Sequence, residues 1–227
     1  MPRPATRKKG AYTRAEIQRR YRQRKRREQI DPKTAAKQQR RADRELQLAE
    51  KTIAASTALG SKLYGVIYCD PPWRFEPYSR ETGMGRSAEN HYPTLGLDGL
   101  KALNVPAAKD CVLFLWTTDP MLDAAIDLIR AWGFTRKATR IWIKDRLGTG
   151  YWHQNQAEFL LIATKGKPPA PAPGEQPSQI VLAPRGEHSA KPEVFAQDIT
   201  RQYPNVPKLE MFARREREGW DSWGNEV

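Results

Sequence analysis

The pattern of apolar and polar positions divides the chain into two parts. Residues 1–57 are dominated by charged and amide side chains and lack the aromatic and β-branched content that a packed core needs. From about residue 63 onward, apolar runs of strand length alternate with segments of helical periodicity. We therefore expect an N-terminal arm, residues 1–57, that is helical or disordered, and one folded domain, residues 58–227.

Five runs in the second part predict β-strands. The run "CVLFLW" is continuously apolar, which is typical of a strand that is covered on both faces of its sheet. We expect the run "KLEMFA" to form the last strand of the domain. The predicted strands are VIYC (66–69), CVLFLW (111–116), TRIWIK (139–144), EFLLIATKG (158–166) and KLEMFA (208–213).

Two helices are predicted between these strands. The first has Asp119 as its N-cap, Pro120 at its first helical position and Gly133 as its stop. The second begins near Pro192 and ends before Pro204. Strands and helices that alternate in this order are typical of an α/β domain with a mostly parallel sheet flanked by helices.

Charge is concentrated in the arm. Residues 1–57 contain 18 Lys and Arg against 6 Asp and Glu, which accounts for +12 of the net charge of +13. A basic arm on a nearly neutral domain favours a polyanionic partner, with nucleic acid as the first candidate. A solvated tail with no specific role is the alternative.

Several classes of protein are disfavoured by the composition. No apolar run approaches the length of a membrane span, and the basic N-terminus does not resemble a signal peptide. The two cysteines lie in apolar runs, as reduced core residues do, and the three histidines form no metal-ligand spacing with them. We expect a soluble, intracellular protein that has no membrane contact and no metal.

The stretch "VIYCDPPWRF" carries the candidate chemistry. Asp70 follows an apolar strand directly, and the prolines after it cannot continue a sheet ladder. Open α/β sheets bind ligands at the carboxyl ends of their strands, so Asp70 stands at a candidate reaction site. Its carboxylate and the Pro71 carbonyl can accept hydrogen bonds from an aromatic amine, while Trp73 offers a flat face.

An adenine amine is a poor nucleophile because its lone pair is delocalised into the ring. Two acceptors aimed at its two hydrogens favour a pyramidal nitrogen with a free lone pair. Aligned with an electrophilic methyl group, such a nitrogen needs positioning and electrostatic stabilisation more than a tuned base.

The ordered motifs of residues 64–227 resemble a known family. "YCDPPWRF", "NHYPTL", "VLFLWTT", "GTGYWHQNQAEFLLIATKG", "EHSAKP", "KLEMFARRE" and "GWDSWGNE" follow one another as in the adenine-specific (N6) methyltransferases. That family includes the catalytic subunit of the eukaryotic messenger-RNA adenine methyltransferase and many bacterial and phage DNA enzymes. The resemblance implies a Rossmann-like, S-adenosylmethionine-dependent methyltransferase, and the chain looks like a bacterial or phage DNA-type member.

The resemblance also implies roles for individual residues. Asp70 would hold the adenine amine and also face the methionine amino group of the cofactor, while Lys191 would pair with the cofactor carboxylate. The expected catalytic residues are Asp70, Pro71, Pro72 and Trp73. The expected cofactor-binding residues are Asp70, Ser189, Lys191, Phe212, Arg214, Asn225 and Glu226. The expected substrate-binding residues are Trp73, Tyr92, Trp152 and Asn155, although a packed hairpin end is an equal alternative for the last two.

The resemblance and the basic arm also give expectations about partners and substrate. DNA, or alternatively RNA, would contact the basic arm and the catalytic face, with the segment 74–92 acting as a gate over a flipped or single-stranded base. The cytosine exocyclic amine suits the same acceptors, and a non-catalytic nucleic-acid-binding subunit is a further alternative. The protein is expected to be either a monomer or a homodimer. Its expected location is the cytoplasm of a bacterial or phage-infected cell.

Overall fold

The protein is described by a computed structural model. The structure describes residues 61–73, 96–150, 152–186 and 190–224, together with separate helical positions between residues 16 and 56. The chain divides into two compact units, Met1–Leu46 and Gln47–Val227. In the first unit the described positions are helical, and the Gln39 side chain donates a hydrogen bond to Asp43 one turn later.

The second unit begins before the boundary at residue 57 that charge predicts. Thr52 and Ser56 are buried, and Ser56 Oγ accepts a hydrogen bond from the backbone N–H of Asn104. The density of charged residues shows where the basic segment lies. It does not show which residues at the end of that segment are buried. The end of that segment is therefore part of the unit that contains the sheet.

A seven-stranded sheet forms the centre of the second unit. Its strands lie in the spatial order β5-β3-β4-β2-β1-β6-β7. The strands are β1 (Tyr64–Cys69), β2 (Ala107–Thr117), β3 (Thr135–Ile143), β4 (Ala157–Lys165), β5 (Ile180–Leu182), β6 (Lys208–Met211) and β7 (Asp221–Trp223). Among the residues described from 61 onward, the α-helices are α1 (Leu97–Lys101), α2 (Leu122–Ala131) and α3 (Glu193–Gln202).

The prediction of a mostly parallel α/β sheet is confirmed, with one antiparallel strand. β1 pairs in parallel with β2 and β6, β3 with β5, and β6 with β7. β4 runs antiparallel to both of its neighbours, because a hairpin joins it to β3. The carboxyl ends of the parallel strands and the amino end of β4 therefore share one edge, which we call the catalytic edge.

Each face of the sheet packs against helices. Ile67 and Leu113 point to one face, in a core that includes Leu128 of α2. Tyr68 and Trp116 point to the other face, where they meet Phe195 of α3. This alternation follows from the two-residue period of a strand, and each fully buried large apolar side chain contributes roughly 1.5–3 kcal/mol.

Two local predictions need correction. Asp119 does not cap the helix: Thr118 precedes a 3₁₀ turn, Asp119–Met121, and α2 begins only at Leu122. The run "KLEMFA" is not the last strand, because β7 follows it. β7 has three half-buried residues and no apolar period, so its pairing with β6 is a tertiary effect. Gly133 ends α2 as predicted, with a φ of +79° that suits glycine.

No helix within the described ranges is long and apolar enough to cross a membrane.

Candidate active site

The Asp-Pro-Pro-Trp motif leaves β1 in a tight turn at the catalytic edge. β1 ends at Cys69, and the Trp73 backbone N–H donates to the Pro71 carbonyl over 2.8 Å. This closes a three-residue turn around Pro72, whose ring holds φ near the value that an inverse γ-turn requires. The Trp73 indole Nε1 donates to the Trp116 carbonyl over 3.0 Å, near the end of β2. The motif is therefore fixed at both its backbone and its aromatic side chain.

The structure brings Asp70 and Lys191, two of the predicted site residues, into direct contact. Lys191 Nζ donates to Asp70 Oδ2 over 2.6 Å. Asp70 lies just past the end of β1, and Lys191 lies two residues before α3. The Asp70 side chain is 25% exposed and that of Lys191 is 10% exposed, so the pair is partly shielded but can be reached from solvent. The roles assigned to the two side chains stay predictions.

A second carboxylate, Glu158 on β4, holds the same lysine. Lys191 Nζ lies 3.2 Å from Glu158 Oε2, and Lys144 Nζ lies 2.5 Å from Glu158 Oε1. The Glu158 side chain is only 7% exposed. Glu158 was not predicted from the sequence. Its signal is a glutamate directly before the apolar run "FLLIA", on the same face of the strand as the buried Leu160, where a charge requires partners.

Burial and charge oppose each other at this cluster, and charge dominates. Burial raises the pKa of Glu158, but the ammonium groups of Lys191 and Lys144 outweigh it and leave that pKa below its usual value. Burial lowers the pKa of Lys191, but the carboxylates of Asp70 and Glu158 outweigh it and leave that pKa above its usual value. Both groups are therefore ionised at neutral pH.

Aromatic side chains pack against the cluster formed by Asp70, Glu158, Lys144 and Lys191. Lys191 Nζ lies 5.5 Å from the centroid of the Trp116 ring, within the range of a cation–π contact. Trp116 is fully buried, donates from Nε1 to the Tyr68 hydroxyl over 2.7 Å and packs edge-on against Phe195 at 4.8 Å. Its burial agrees with the prediction that the run "CVLFLW" is a strand covered on both faces of its sheet. Its satisfied indole makes it a rigid support for Lys191.

The turn after β6 contains two of the predicted cofactor-binding residues. Phe212 has a φ of +61°, a left-handed conformation that is rare for a bulky side chain and that the surrounding packing must enforce. Its ring packs against Trp223 of β7 at 5.1 Å. Arg214 follows and is half-buried. The backbone N–H of Ala213 donates to the Trp223 carbonyl, so β7 holds this turn in place.

The turn between β3 and β4 contains two of the four predicted substrate-binding residues, Trp152 and Asn155. The Trp152 side chain is exposed. The Asn155 side chain donates to the Thr149 carbonyl over 2.9 Å, and the Asn155 carbonyl accepts from the Gly148 N–H over 2.6 Å. A side chain at Gly150 would collide with the His153 carbonyl. Asn155 thus closes the hairpin end, and a contact of either predicted residue with substrate stays a prediction.

Four of the predicted site residues lie outside the described residues. They are Tyr92, Ser189, Asn225 and Glu226, and the predicted gate, 74–92, lies there as well. Their contacts with substrate or cofactor stay predictions.

The charges at the catalytic edge fit the amino-acid end of S-adenosylmethionine. The cluster of Asp70, Glu158, Lys144 and Lys191 holds two carboxylates and two ammonium groups, so it is balanced before a ligand arrives. A ligand end with one ammonium and one carboxylate would keep that balance, because the cluster offers groups of both signs. Within the described ranges, no group of three His, Cys, Asp or Glu side chains could hold a metal ion.

Comparison of the sequence with known proteins identifies relatives of this chain. The sequence profile of the MT-A70 family matches residues 64–226. The chain is 39% identical over 186 residues to the Type II methyltransferase M.MunI of a Mycoplasma species, covering 74% of this chain and 80% of that one. It is 30% identical over 175 residues to the human N(6)-adenosine-methyltransferase catalytic subunit METTL3, covering 72% of this chain and 28% of that one. A probable N(6)-adenosine-methyltransferase of Oryza sativa is 31% identical over the same length, with 23% of its own chain covered.

Proposed function

The chain belongs to the MT-A70 family, and from this premise we propose that it transfers a methyl group from S-adenosylmethionine to the N6 amine of adenine in DNA. The contact between Asp70 and Lys191 at the catalytic edge carries the proposal. It places a carboxylate and an ammonium group together where an α/β sheet binds its ligands. The bound cofactor supplies an electrophilic methyl group on a sulfonium.

The amine of the base would be held by the turn after β1. Lys191 occupies Asp70 Oδ2, so Asp70 Oδ1 is the oxygen that accepts one amine hydrogen. The Pro71 carbonyl accepts the other; it already takes the Trp73 N–H and keeps its second lone pair. Because both acceptors are already held in place, they orient the nitrogen lone pair toward the methyl group without a further loss of conformational entropy.

The cofactor would be oriented by charge at one end and by the turn after β6 at the other. Lys191 binds the carboxylate of the methionine moiety, close to the N-terminus of α3, whose dipole also favours an anion. Glu158 keeps the ammonium group of Lys191 in place. In this proposal Arg214 reaches the ribose hydroxyls of the cofactor, and Phe212 contacts the cofactor beside it.

Proton transfer follows methyl transfer. The methylated nitrogen carries a positive charge and must lose one of its hydrogens to become neutral. The Asp70 carboxylate already accepts a hydrogen bond from that nitrogen, so Oδ1 takes the proton and passes it to solvent through the exposed quarter of the side chain. Lys191, as an ammonium group, cannot serve as this base.

The choice of DNA rests on the basic arm and on the coverage of the relatives. A concentrated positive segment suits a phosphate backbone, and its contribution to binding should fall steeply with salt. M.MunI matches over most of both chains, whereas the N(6)-adenosine-methyltransferases match over about a quarter of their own length. A duplex adenine must be flipped out of the stack before its amine can reach Asp70.

Nucleoside analysis tests the proposal directly. The protein is incubated with methyl-labelled S-adenosylmethionine and, separately, duplex DNA, single-stranded DNA and RNA, and each product is digested to nucleosides. N6-methyldeoxyadenosine from DNA is the expected result. N6-methyladenosine from RNA alone would establish the RNA alternative, and N4-methyldeoxycytidine would establish the cytosine alternative. Cofactor binding without methyl transfer to any of the three nucleic acids would favour the non-catalytic subunit.

A further inference from the structure

We propose that Lys144 is a positioning residue for methyl transfer, acting through Glu158 to hold the Lys191 ammonium group against Asp70. The inference rests on the proposed function, because it assigns Lys191 and Asp70 to the ligand site. Lys144 acts on Lys191 and Asp70 indirectly. Its effect passes through one carboxylate whose two oxygens bind two different lysines.

Sheet geometry places Lys144 beside Glu158. Trp142 of β3 pairs with Glu158 of β4, and Lys144 follows two residues later, so it points to the same face of the sheet. Backbone contacts fix Lys144 from both sides: its N–H donates to the Gln156 carbonyl over 2.9 Å, and the Gln156 side chain donates to the Lys144 carbonyl over 2.9 Å. The side chain also lies over the Trp142 ring, with Nζ 5.2 Å from the centroid.

The two carboxylate oxygens of Glu158 bind different lysines, and this arrangement sets the position of Lys191. Oε1 binds Lys144 at 2.5 Å, and Oε2 is left to Lys191 at 3.2 Å. Lys191 in turn lies closer to Asp70, at 2.6 Å. Without Lys144, a buried carboxylate would depend on Lys191 alone. It would then draw that ammonium group away from Asp70 and compete with the cofactor carboxylate for it.

The titration of Glu158 reports on this arrangement, because the pKa of Glu158 depends on both lysines. The charged groups that face Glu158 are Lys144 from the end of β3 and Lys191 from the segment before α3, with Asp70 from the end of β1 beyond Lys191. Burial works against the charged form of Glu158, and the two lysines hold its pKa low. Removal of one of them should raise that pKa by about one unit or more, since a close opposite charge shifts a pKa by about 1–3 units.

The test compares Lys144→Met, Lys144→Arg and the matched control Arg146→Met. Arg146 is exposed, lies two residues further along the chain and pairs with Asp145, so its loss changes the net charge equally without touching Glu158. The Glu158 carboxyl is titrated by NMR in protein labelled with ¹³C at the glutamate carboxyl, and its signal is assigned with Glu158→Gln. Binding of S-adenosylhomocysteine and the pH profile of kcat/KM on DNA are measured for the same proteins.

The expected result is specific to Lys144. In Lys144→Met the Glu158 titration and the acid limb of the kcat/KM profile move up by about one pH unit, and affinity for S-adenosylhomocysteine falls about tenfold. Lys144→Arg restores all three values, and Arg146→Met leaves them unchanged. An unmoved Glu158 titration in Lys144→Met, or equal effects of Lys144→Met and Arg146→Met, would overturn the inference.

The two sets of measurements separate this inference from the proposed function. If the wild-type protein methylates no nucleic acid but the Glu158 titration moves as expected, the proposed function fails and the positioning contact stands. If the wild-type protein methylates DNA and the titration does not move, only the positioning inference fails. Should Lys144→Met not fold, Lys144→Gln, which keeps a hydrogen-bond donor without the charge, must show the same upward shift or the inference is wrong.

Discussion

Lys191 Nζ lies 2.6 Å from Asp70 Oδ2, although 121 positions separate the two residues in the chain. The contact joins the end of β1 to the segment before α3, two elements that meet only because the sheet and α3 pack together. It creates a partly exposed pair of opposite charges at the catalytic edge. Each of the two charges can be removed by substitution, with a different effect expected on activity, binding and stability.

Asp70→Asn should reduce methyl transfer by about 100-fold or more, because the amide keeps the shape of the side chain but loses its charge and its capacity to take a proton. The measurement is the initial rate of methyl incorporation into the preferred nucleic acid. Asp123→Asn is the control, since Asp123 is an exposed carboxylate in the first turn of α2 and its loss changes the net charge equally. A rate for Asp70→Asn within about twofold of wild type would contradict the role given to Asp70.

Lys191→Met should weaken both folding and cofactor binding. It leaves the buried Glu158 with one lysine, Lys144, in place of two, at a cost of about 1.5–3 kcal/mol in the free energy of unfolding. It also removes the proposed partner of the cofactor carboxylate, which should lower affinity for S-adenosylhomocysteine by at least about tenfold. Urea unfolding and calorimetry measure the two effects separately.

The double variant Lys191→Met/Glu158→Gln separates stability from binding. Replacing the buried carboxylate with an amide removes a charge that has lost one of its two lysine partners, so stability should recover in part, while cofactor affinity should stay low. Recovery of cofactor affinity together with stability would show that Lys191 acts only as a structural partner of Glu158.

Tyr64 should make folding stability sensitive to alkaline pH. Burial, together with the hydrogen bond to Asp221 and the charge of that residue, raises the pKa of Tyr64 from 10.0 to about 12. A folded pKa above the unfolded one contributes stability that is fully present below about pH 10 and is lost as the pH rises toward about 12. Tyr64→Phe should therefore cost about 1 kcal/mol at neutral pH.

The measurement for Tyr64 is the difference between wild type and Tyr64→Phe in the free energy of unfolding, taken from about pH 7 to about pH 12. That difference should shrink above about pH 10 as the wild-type hydroxyl ionises. Lysines titrate in the same range, but they do so in both proteins and cancel in the difference. A difference that stays constant over the whole range would mean that the contact with Asp221 does not control this titration.

Removal of residues 1–46 should weaken nucleic-acid binding and leave cofactor binding nearly unchanged. This deletion follows the boundary of the first compact unit and keeps the buried Thr52 and Ser56. Binding to DNA is measured from about 50 to 200 mM salt, and the slope of log K against log salt should become shallower by about 0.9 for each phosphate that the arm neutralises. Equal weakening of cofactor binding would contradict the proposed division of labour.

Much of the architecture can be predicted from local pattern. β1 and the buried later part of β2 are apolar runs, and Gly133 stops α2 where the periodicity ends. The direction of β4 could not be predicted, since a buried strand reads the same whether it runs parallel or antiparallel to its neighbours. The short strands β5 and β7 carry no period of their own, because three residues are too few to show one.

The candidate site also contains residues that the sequence identifies and residues that only the folded structure brings together. Asp70 could be identified because prolines after an apolar strand force the chain to leave the sheet and expose a carboxylate at its edge. Glu158 and Lys144 could not, because their significance depends on the pairing of β3 with β4 and on the position of Lys191 before α3.

The amino-acid sequence by itself determined the class of fold, the separation of a basic arm from a nearly neutral domain, and the motif from Asp70 to Trp73, because periodicity, charge and proline act locally along the chain. Tertiary structure alone decided that Lys191 is shared between Asp70 and Glu158, and that Lys144 completes the balance of charge. A buried charge is stable only beside its counterion, and residues far apart in sequence become counterions only when the strands and helices that carry them pack together.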